Sequence, residues 1–163
     1  MKKILKFTAL LTAAVLTLLA LASCSAPTGN VAKKGTATIV IEGADDYQTY
    51  SVDLSELTER DEGAYTLIKH VSEKENSTLY YSVSAGGGYG AYIISIGSLY
   101  PDASCEYISV YTSCEKDFAV PTEYMPTVST VDYNGKTLTY SGVGISQMTI
   151  EDGTIVLFRI EKF

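Results

Sequence analysis

The residues best suited to contact a ligand form a glycine-rich segment near the middle of the chain. Gly86-Gly87-Gly88-Tyr89-Gly90 directly precedes the apolar run Ala91–Ile96. Glycines allow positive φ angles and let another backbone or a ligand come close. The segment lacks a Lys-Ser/Thr pair and leads into a predicted strand, so it does not have the helix N-terminus of a phosphate-binding loop. We expect its backbone and Tyr89 to contact a ligand; the alternative is a tight connection without one.

Other residues with catalytic or metal-binding chemistry do not form a constellation. His70 is the single histidine, and no second metal ligand stands beside it at a suitable spacing. A serine triad would depend on this histidine, and the sequence contains no G-x-S-x-G. The acidic pairs Asp45-Asp46 and Glu151-Asp152 fall in predicted turns, where such residues are common. We therefore predict no enzymatic activity, no bound metal and no covalent cofactor.

The N-terminus has the architecture of a secretory signal. Three lysines precede the apolar run Phe7–Leu21, which is shorter than the roughly 20 residues of a membrane-spanning helix. The sequence Leu21-Ala22-Ser23-Cys24 resembles the bacterial lipobox, in which the cysteine thiol is diacylated and the chain is cut before it. We expect residues 1–23 to be a lipoprotein signal peptide and acylated Cys24 to anchor the protein in membrane lipid, on the outer face of the bacterial cytoplasmic membrane. The alternative is an ordinary signal peptide with an incidental cysteine.

The mature chain is predicted to contain a tether and one acidic domain. Small and polar residues predict a flexible tether over residues 24–35. Residues 36–163 provide enough chain for one domain. Removal of the three lysines of the signal changes the net charge from −7 to about −10. So acidic a protein repels phosphate backbones, which excludes nucleic acid as a partner.

Cys105 and Cys114 are a possible disulfide pair, because disulfides form outside the cytoplasm. On one straight strand their Cα atoms would lie roughly 30 Å apart, whereas a disulfide requires about 7 Å or less. A bridge therefore needs a chain reversal near Tyr111–Ser113. The sequence leaves the bridged and free states open.

The predicted elements begin with a hairpin and a helix. Thr36–Glu42 and Tyr47–Leu54 are predicted to pair as antiparallel strands around a short turn. An amphipathic helix of about three turns, capped by Asp61, is predicted to follow and to lie on the sheet. The apolar face of this helix comprises Ala64, Leu67, Ile68 and Val71.

Strands dominate the second half of the chain. Ala91–Ile96 has almost no polar interruption, which is typical of a strand buried on both faces, so we predict it to be the central strand. Residues 116–131 are predicted to form a long loop. The element order predicts an α+β domain with a β-grasp-like mixed sheet, one amphipathic helix packed across it and a strand-rich C-terminal half. The other predicted strands are Thr78–Ser84, Cys105–Thr112, Thr137–Tyr140, Gln147–Ile150 and Thr154–Ile160.

This order of elements and several short patterns resemble a known family. The patterns are Gly90-Ala91-Tyr92-Ile93-Ile94-Ser95-Ile96-Gly97, then Glu106-Tyr107, then Gly142 and Glu151-Asp152-Gly153-Thr154-Ile155. They are similar to the transcobalamin-like C-terminal domain, also described in bacteria as a domain of unknown function (DUF4430), over residues 36–163. In vertebrate cobalamin carriers the similar domain is the smaller lobe, which closes over the corrin ring. The resemblance implies a corrinoid, cobalamin, as the ligand and its delivery to an uptake system.

Two functions are therefore expected. The first is a cell-surface lipoprotein that binds a small ligand, with the corrinoid as the candidate. The second is a protein–protein or adhesion module without a small ligand, which would use the tyrosine-rich surface and the loop 116–131 to contact a surface protein. The expected ligand contacts are Gly87, Gly88, Tyr89, Gly90, Tyr92 and Tyr107.

Overall fold

The structure, a computed structural model, describes residues 29–85 and 90–163. The predicted signal peptide, the lipidation residue Cys24 and three predicted ligand contacts, Gly87, Gly88 and Tyr89, lie outside the described residues. Within them there is one α-helix, α1 (Gly63–Glu73). The strands are β1 (Asn30–Val31), β2 (Thr36–Glu42), β3 (Tyr47–Asp53), β4 (Tyr81–Ala85), β5 (Ala91–Ile96), β6 (Glu106–Thr112), β7 (Thr130–Tyr133), β8 (Lys136–Tyr140), β9 (Thr149–Ile150) and β10 (Ile155–Lys162).

Six strands form a main sheet in the order β3-β2-β10-β6-β8-β7. The neighbours β2 and β10 are parallel, and the other neighbours are antiparallel. The predicted opening hairpin is confirmed, since β2 and β3 pair from Thr36 with Asp53 to Glu42 with Tyr47. The predicted mixed α+β class is confirmed as well.

Helix α1 has the predicted apolar face but a different N-terminus. Its four predicted core residues are all buried. Asp61 is not the cap: the cap position is Glu62, whose side chain makes no capping hydrogen bond. Instead the Ala64 N–H donates to the carbonyl of Ile145 at 2.9 Å. A main-chain oxygen from a distant loop thus satisfies a donor that a capping side chain usually accepts.

The prediction that Ala91–Ile96 is the central strand is wrong. This segment is β5, which pairs with β4 in a separate two-stranded small sheet. Its side chains alternate between core and solvent with one irregularity. Ile93 and Ile96 are buried whereas Tyr92 and Ile94 are 57% and 47% exposed, and a register shift against β4 between Ser82 and Val83 interrupts the alternation. Such alternation is typical of a strand that covers a core from one side.

The central strand is β10, at the C-terminal end of the chain. It lies between β2 and β6, and Val156, Leu157 and Phe158 are completely buried. Neighbours on both edges and packed side chains on both faces leave no route for solvent to these residues. The sheet is therefore organised around β10 and not around the glycine-flanked strand.

The two faces of the main sheet carry different cores. We call the first the helix face, where Ile39, Ile41 and Phe158 belong to one cluster with residues of α1 and the small sheet. The second is the tyrosine face, where Val40 and Leu157 cluster with Tyr111, Leu138 and Tyr133.

The main sheet curls around its tyrosine face. The ring of Tyr133 on β7 meets the ring of Tyr47 on β3 edge-on, with centroids 5.2 Å apart. Its hydroxyl lies 3.0 Å from the Thr49 hydroxyl, also on β3. Because β3 and β7 are the two outer strands of the sheet, this contact shows strong twisting and coiling, by which a sheet covers its own core.

Part of the predicted tether is packed against the domain. Strand β1 pairs in parallel with β9, and Val31 is 3% exposed. The packed part of the chain therefore begins before Thr36, where the domain was predicted to start. The buried side chain of Val31 and the pairing of two residues of β1 with two residues of β9 hold this segment in place.

The predicted loop 116–131 is anchored at its start. A 3-10 turn spans Glu115–Asp117, and the next strand begins only at Thr130. The Asp117 carboxylate is buried and accepts a hydrogen bond from the Thr149 N–H at 2.6 Å. This hydrogen bond holds β9 against the start of the loop, and burial raises the pKa of the Asp117 carboxyl.

Candidate functional site

The described end of the glycine segment is bound tightly to a neighbouring loop. Gly90 has a φ of +80°, and a Cβ there would lie 2.6 Å from the Cβ of Ser146. The next residue, Ala91, donates its N–H to the Ser146 hydroxyl at 3.0 Å. Only glycine permits both this backbone angle and this close approach. At Gly90, the close approach is thus to the protein's own backbone and side chain.

An apolar groove begins beside this contact. It lies between β5, β6 and the loop that follows β8, and its volume is about 180 Å³. We call it the Tyr92 groove. None of the described residues that line it is charged. The lining residues are Ala91, Tyr92, Ile93, Ile108, Val110, Tyr140, Ser141, Val143, Gly144 and Ile145.

The Tyr92 groove combines fixed walls with an exposed aromatic rim. Ile93, Ile108 and Ile145 are buried core residues, so their side chains are positioned by the packing beneath them. Tyr92 stays 57% exposed and presents a large rigid ring with a polar tip. Such a surface can bind an apolar or aromatic group without charge selection.

The structure separates two of the predicted ligand contacts. Tyr92 lines the groove together with Ile108, on the helix face of β6. Tyr107 precedes Ile108 on the same strand and therefore points to the opposite face. There its ring stacks on Phe163 with centroids 6.1 Å apart, and its hydroxyl donates to Glu161 at 3.2 Å. Gly90 and Tyr92 are thus neighbours, whereas Tyr107 belongs to another part of the surface.

A carboxylate network occupies the tyrosine face near the end of β10. Glu161 accepts hydrogen bonds from Tyr107 and, at 2.5 Å, from Tyr111. Burial, followed by the effect of the Glu161 carboxylate, raises the pKa of the Tyr111 hydroxyl, so Tyr111 stays a hydrogen-bond donor. Arg159 lies between Glu161 and Glu42, at 3.7 and 3.5 Å.

Sequence reasoning missed this network. Arg159 and Glu161 interrupt the apolar strand β10 at alternate positions, which indicates a shared face. That signal was available, but it did not identify Glu42 or Tyr111, which arrive from β2 and β6. Glu42 and Tyr111 lie near Arg159 and Glu161 only because β2 and β6 are the neighbours of β10 in the sheet.

Within the described residues, Cys105 and Cys114 are both free. Strand β6 (Glu106–Thr112) runs between them without the reversal that a bridge would require. Cys105 is exposed, whereas Cys114 is buried, and burial raises the pKa of the Cys114 thiol. A raised thiol pKa leaves less of the reactive thiolate.

His70 lies in a group of charged residues on α1 and the preceding turn. Its Nε2 is 3.3 Å from Glu56 Oε2, and the Lys74 ammonium is 2.9 Å from the same oxygen. Lys74 and then His70 lower the pKa of the Glu56 carboxyl. Within residues 29–85 and 90–163, no three His, Cys, Asp or Glu side chains are grouped as metal ligands would be.

The predicted acidic turns have structural contacts. Asp152 accepts the Thr36 N–H at 2.8 Å, which links the turn before β10 to the start of β2. Glu151 forms an ion pair with Lys116. The main chain of Asp46 closes the β2–β3 turn by accepting from the Gly43 N–H at 2.8 Å.

In the part of the chain that the structure describes, no helix has the length and apolar character needed to cross a membrane. Among known proteins, no family model and no curated protein matches the chain. The site is therefore interpreted from its own geometry. That geometry provides a groove for an apolar group and, on the opposite face, a network of tyrosines, glutamates and one arginine.

Proposed function

We propose that this protein is a non-enzymatic surface lipoprotein that binds the apolar part of a small ligand in the Tyr92 groove. One observation carries the proposal: the groove has uncharged walls and adjoins the described end of the glycine segment. Apolar pockets with few polar groups are the usual form of small-molecule sites. Delivery of the ligand to an uptake system at the membrane would follow from the lipid anchor at Cys24.

A corrinoid is the candidate ligand that the family resemblance implies. The groove volume of about 180 Å³ is below the roughly 300–1,000 Å³ of pockets that enclose a drug-sized molecule. A corrinoid would therefore insert one apolar edge beside Tyr92 and keep most of its ring outside. We expect correspondingly weak binding to this domain alone.

The strand order supports a β-grasp-like plan as part of the same proposal. An opening hairpin, β2–β3, is followed by α1, and the first strand of the hairpin lies parallel to the final strand β10 in the sheet centre. Strand β6 pairs with the other edge of β10. This arrangement agrees with the plan expected from the family resemblance, although fold alone does not transfer function.

Titration with cobalamin tests the ligand. The full chain, purified in detergent, is titrated with cobalamin and followed by visible absorbance and calorimetry. Tyr92→Ala is expected to weaken binding about fivefold, because an aromatic contact contributes about 1 kcal/mol beyond its buried area. Tyr124→Ala is the control, since Tyr124 is 96% exposed in the long loop and should leave affinity unchanged.

The absence of heat and of any spectral change at high micromolar cobalamin would contradict the corrinoid as ligand. An equal loss of affinity in both tyrosine variants would contradict the groove as its site. These two outcomes separate the identity of the ligand from the position of the site.

A protein–protein module is the second candidate, favoured by exposed aromatic residues around the small sheet. Tyr80, Tyr92 and Tyr100 are 73%, 57% and 69% exposed, and Ile94 is 47% exposed. Exposed apolar patches with polar surroundings are typical of protein contact sites. Retrieval of one specific surface protein by the wild-type chain, lost in Ile94→Asp and without any cobalamin binding, would favour this function.

Cys24 is proposed as the lipid attachment site. Growth of producing cells with a clickable palmitate analogue is expected to label the wild-type protein and not Cys24→Ala, because the thiol is the acceptor. Cys105→Ala is the matched control and should keep the label. Label retained in Cys24→Ala would contradict lipidation at this position.

A further inference from the structure

The main sheet contains a notch where β2 ends beside β10. The last parallel pair is Ile41 with Phe158, whereas β10 continues to Lys162 paired with β6 alone. A cavity of about 330 Å³ lies at this point, and we call it the β10 notch. Its lining residues are Glu42, Gly43, Ala44, Leu99, Arg159 and Ile160.

The main chain of β10 offers hydrogen-bonding groups to the notch. Ile155 and Phe163 bond to the β6 side, through Ser113 N–H to Ile155 O at 3.0 Å and Phe163 N–H to Cys105 O at 3.3 Å. Successive residues of a strand direct these groups to alternate sides. The N–H and C=O of Ile160 therefore face the notch, where no strand of the described residues pairs with them.

Two side chains of the notch are also incompletely paired. Arg159 Nη1 lies 3.5 Å from Glu42 Oε2, which is longer than a charge-assisted hydrogen bond. Glu42 Oε2 and Arg159 Nε are buried and have no hydrogen-bond partner within residues 29–85 and 90–163. Glu161 does not relieve the deficit, since its Oε1 is 3.7 Å from Arg159 Nε and accepts instead from Tyr111. Two residues that line the notch thus carry one buried acceptor and one buried donor without hydrogen-bond partners among the described residues.

Two exposed tyrosines neighbour lining residues of the notch, one across a strand pair and one along the chain. Tyr47 is the cross-strand partner of Glu42 and is 48% exposed. Tyr100 follows the lining residue Leu99 and is 69% exposed. Tyrosine rings present flat apolar faces with a hydrogen-bonding tip, so these two residues offer apolar surface near the hydrogen-bonding groups of the notch.

We propose that the β10 notch binds a neutral saccharide. A sugar hydroxyl both donates and accepts, so a single hydroxyl can bridge the unpaired Glu42 oxygen and the unpaired Arg159 N–H after a small rotation of these side chains. The C–H faces of a sugar ring suit the exposed tyrosine rings. The guanidinium beside a carboxylate opposes both a free cation and a free anion, and a cavity of about 330 Å³ has room for one or two sugar rings.

This site is independent of the Tyr92 groove. The two cavities share no lining residue, and saccharide binding needs no corrinoid. Failure of one proposal therefore leaves the other in place.

Saturation-transfer NMR on the full chain, in a detergent without a sugar headgroup, tests the proposal. The probes are glucose, N-acetylglucosamine and their β-1,4-linked dimers, with trialanine as the peptide comparison. We expect transfer to a saccharide with a dissociation constant on the order of millimolar. Ala44→Trp fills the notch from an exposed turn position, and Glu42→Gln removes the carboxylate while keeping its shape; both should weaken binding about tenfold or more.

Two variants provide matched controls. Asp45→Trp places the same ring in the same exposed turn but outside the notch lining. Glu106→Gln changes a glutamate of equal exposure, 23% against 22%, that does not line the notch. Both should bind like the wild type. No transfer to any saccharide, transfer to trialanine instead, or binding that survives both Ala44→Trp and Glu42→Gln would each overturn the proposal.

Discussion

Phe158→Ala is expected to lower the free energy of unfolding by about 3–5 kcal/mol, the range measured for buried phenylalanines. Phe158 is completely buried on β10, between β2 and β6. Its ring packs in the cluster that joins the main sheet to α1 and the small sheet. Removal of the ring therefore leaves a cavity that several elements would have to close together. Urea unfolding followed by circular dichroism measures the change.

Tyr92→Ala is the comparison that makes this result informative. Tyr92 is also an aromatic residue in a strand, but it lies on β5 and is 57% exposed. Its substitution should cost less than about 1 kcal/mol. A larger loss for Tyr92→Ala than for Phe158→Ala would contradict the position of β10 at the centre and favour the glycine-flanked strand.

Gly63→Ala is the second large expected effect, a loss of about 2–5 kcal/mol from backbone strain and steric overlap together. Gly63 begins α1 with a φ of +48°. A Cβ there would lie 2.6 Å from Met148 O and 2.8 Å from Ile145 O. These oxygens belong to main chain and cannot move aside as a flexible side chain would. The loop 145–148 would have to leave the helix N-terminus.

Gly153→Ala separates the cost of backbone strain from the cost of steric overlap. Gly153 has a φ of +78°, but no atom lies within 4 Å of the position of an added Cβ. Its substitution should cost about 1–2 kcal/mol, from the left-handed conformation alone. Thermal or urea unfolding compares the two variants. Equal losses would show that the contact of Gly63 with the loop 145–148 carries no energy.

The loop next to Gly63 also connects stability to the candidate site. Ile145 lines the Tyr92 groove, and Ser146 holds the Ala91 N–H at the end of the glycine segment. We therefore expect Gly63→Ala to weaken ligand binding in the groove, although Gly63 does not line it. Gly153→Ala should not have this effect.

Features that depend on neighbours in sequence were predicted correctly. The hairpin of β2 and β3 follows from two β-rich runs around a four-residue turn, and α1 follows from four apolar residues at helical spacing. Both patterns act over a few residues, so the chain itself contains the information. The helix cap was not predictable, because Ile145 supplies it from about eighty residues away along the chain.

The error over the central strand has a physical cause. Ala91–Ile96 is the less polar run, whereas β10 carries Arg159 and Glu161 near its end. Hydrophobicity indicates that a strand contacts a core, but it does not indicate whether the strand has a neighbouring strand on one edge or on both. Strand order is decided by long-range pairing, and β10 is central because Val156–Phe158 pair with both β2 and β6.

The candidate site was only partly accessible from the sequence for the same reason. Gly90 and Tyr92 lie next to the groove, as their closeness in sequence suggests. Tyr107 points to the other face, because one step along a strand reverses the direction of a side chain. The groove walls from β6 and from the loop after β8 are brought to β5 by packing alone.

For the glycine segment before β5, the sequence determines some features and the tertiary structure determines others. The sequence by itself determined that glycines are concentrated at residues 86–90 and that a β-rich run follows, because glycine and β-branched residues act locally. Only the tertiary structure decided that this run forms a side wall and that Ser146 closes on Gly90. Contacts between distant segments form where the side chains of the whole chain together fill the core. No single stretch of sequence contains that information.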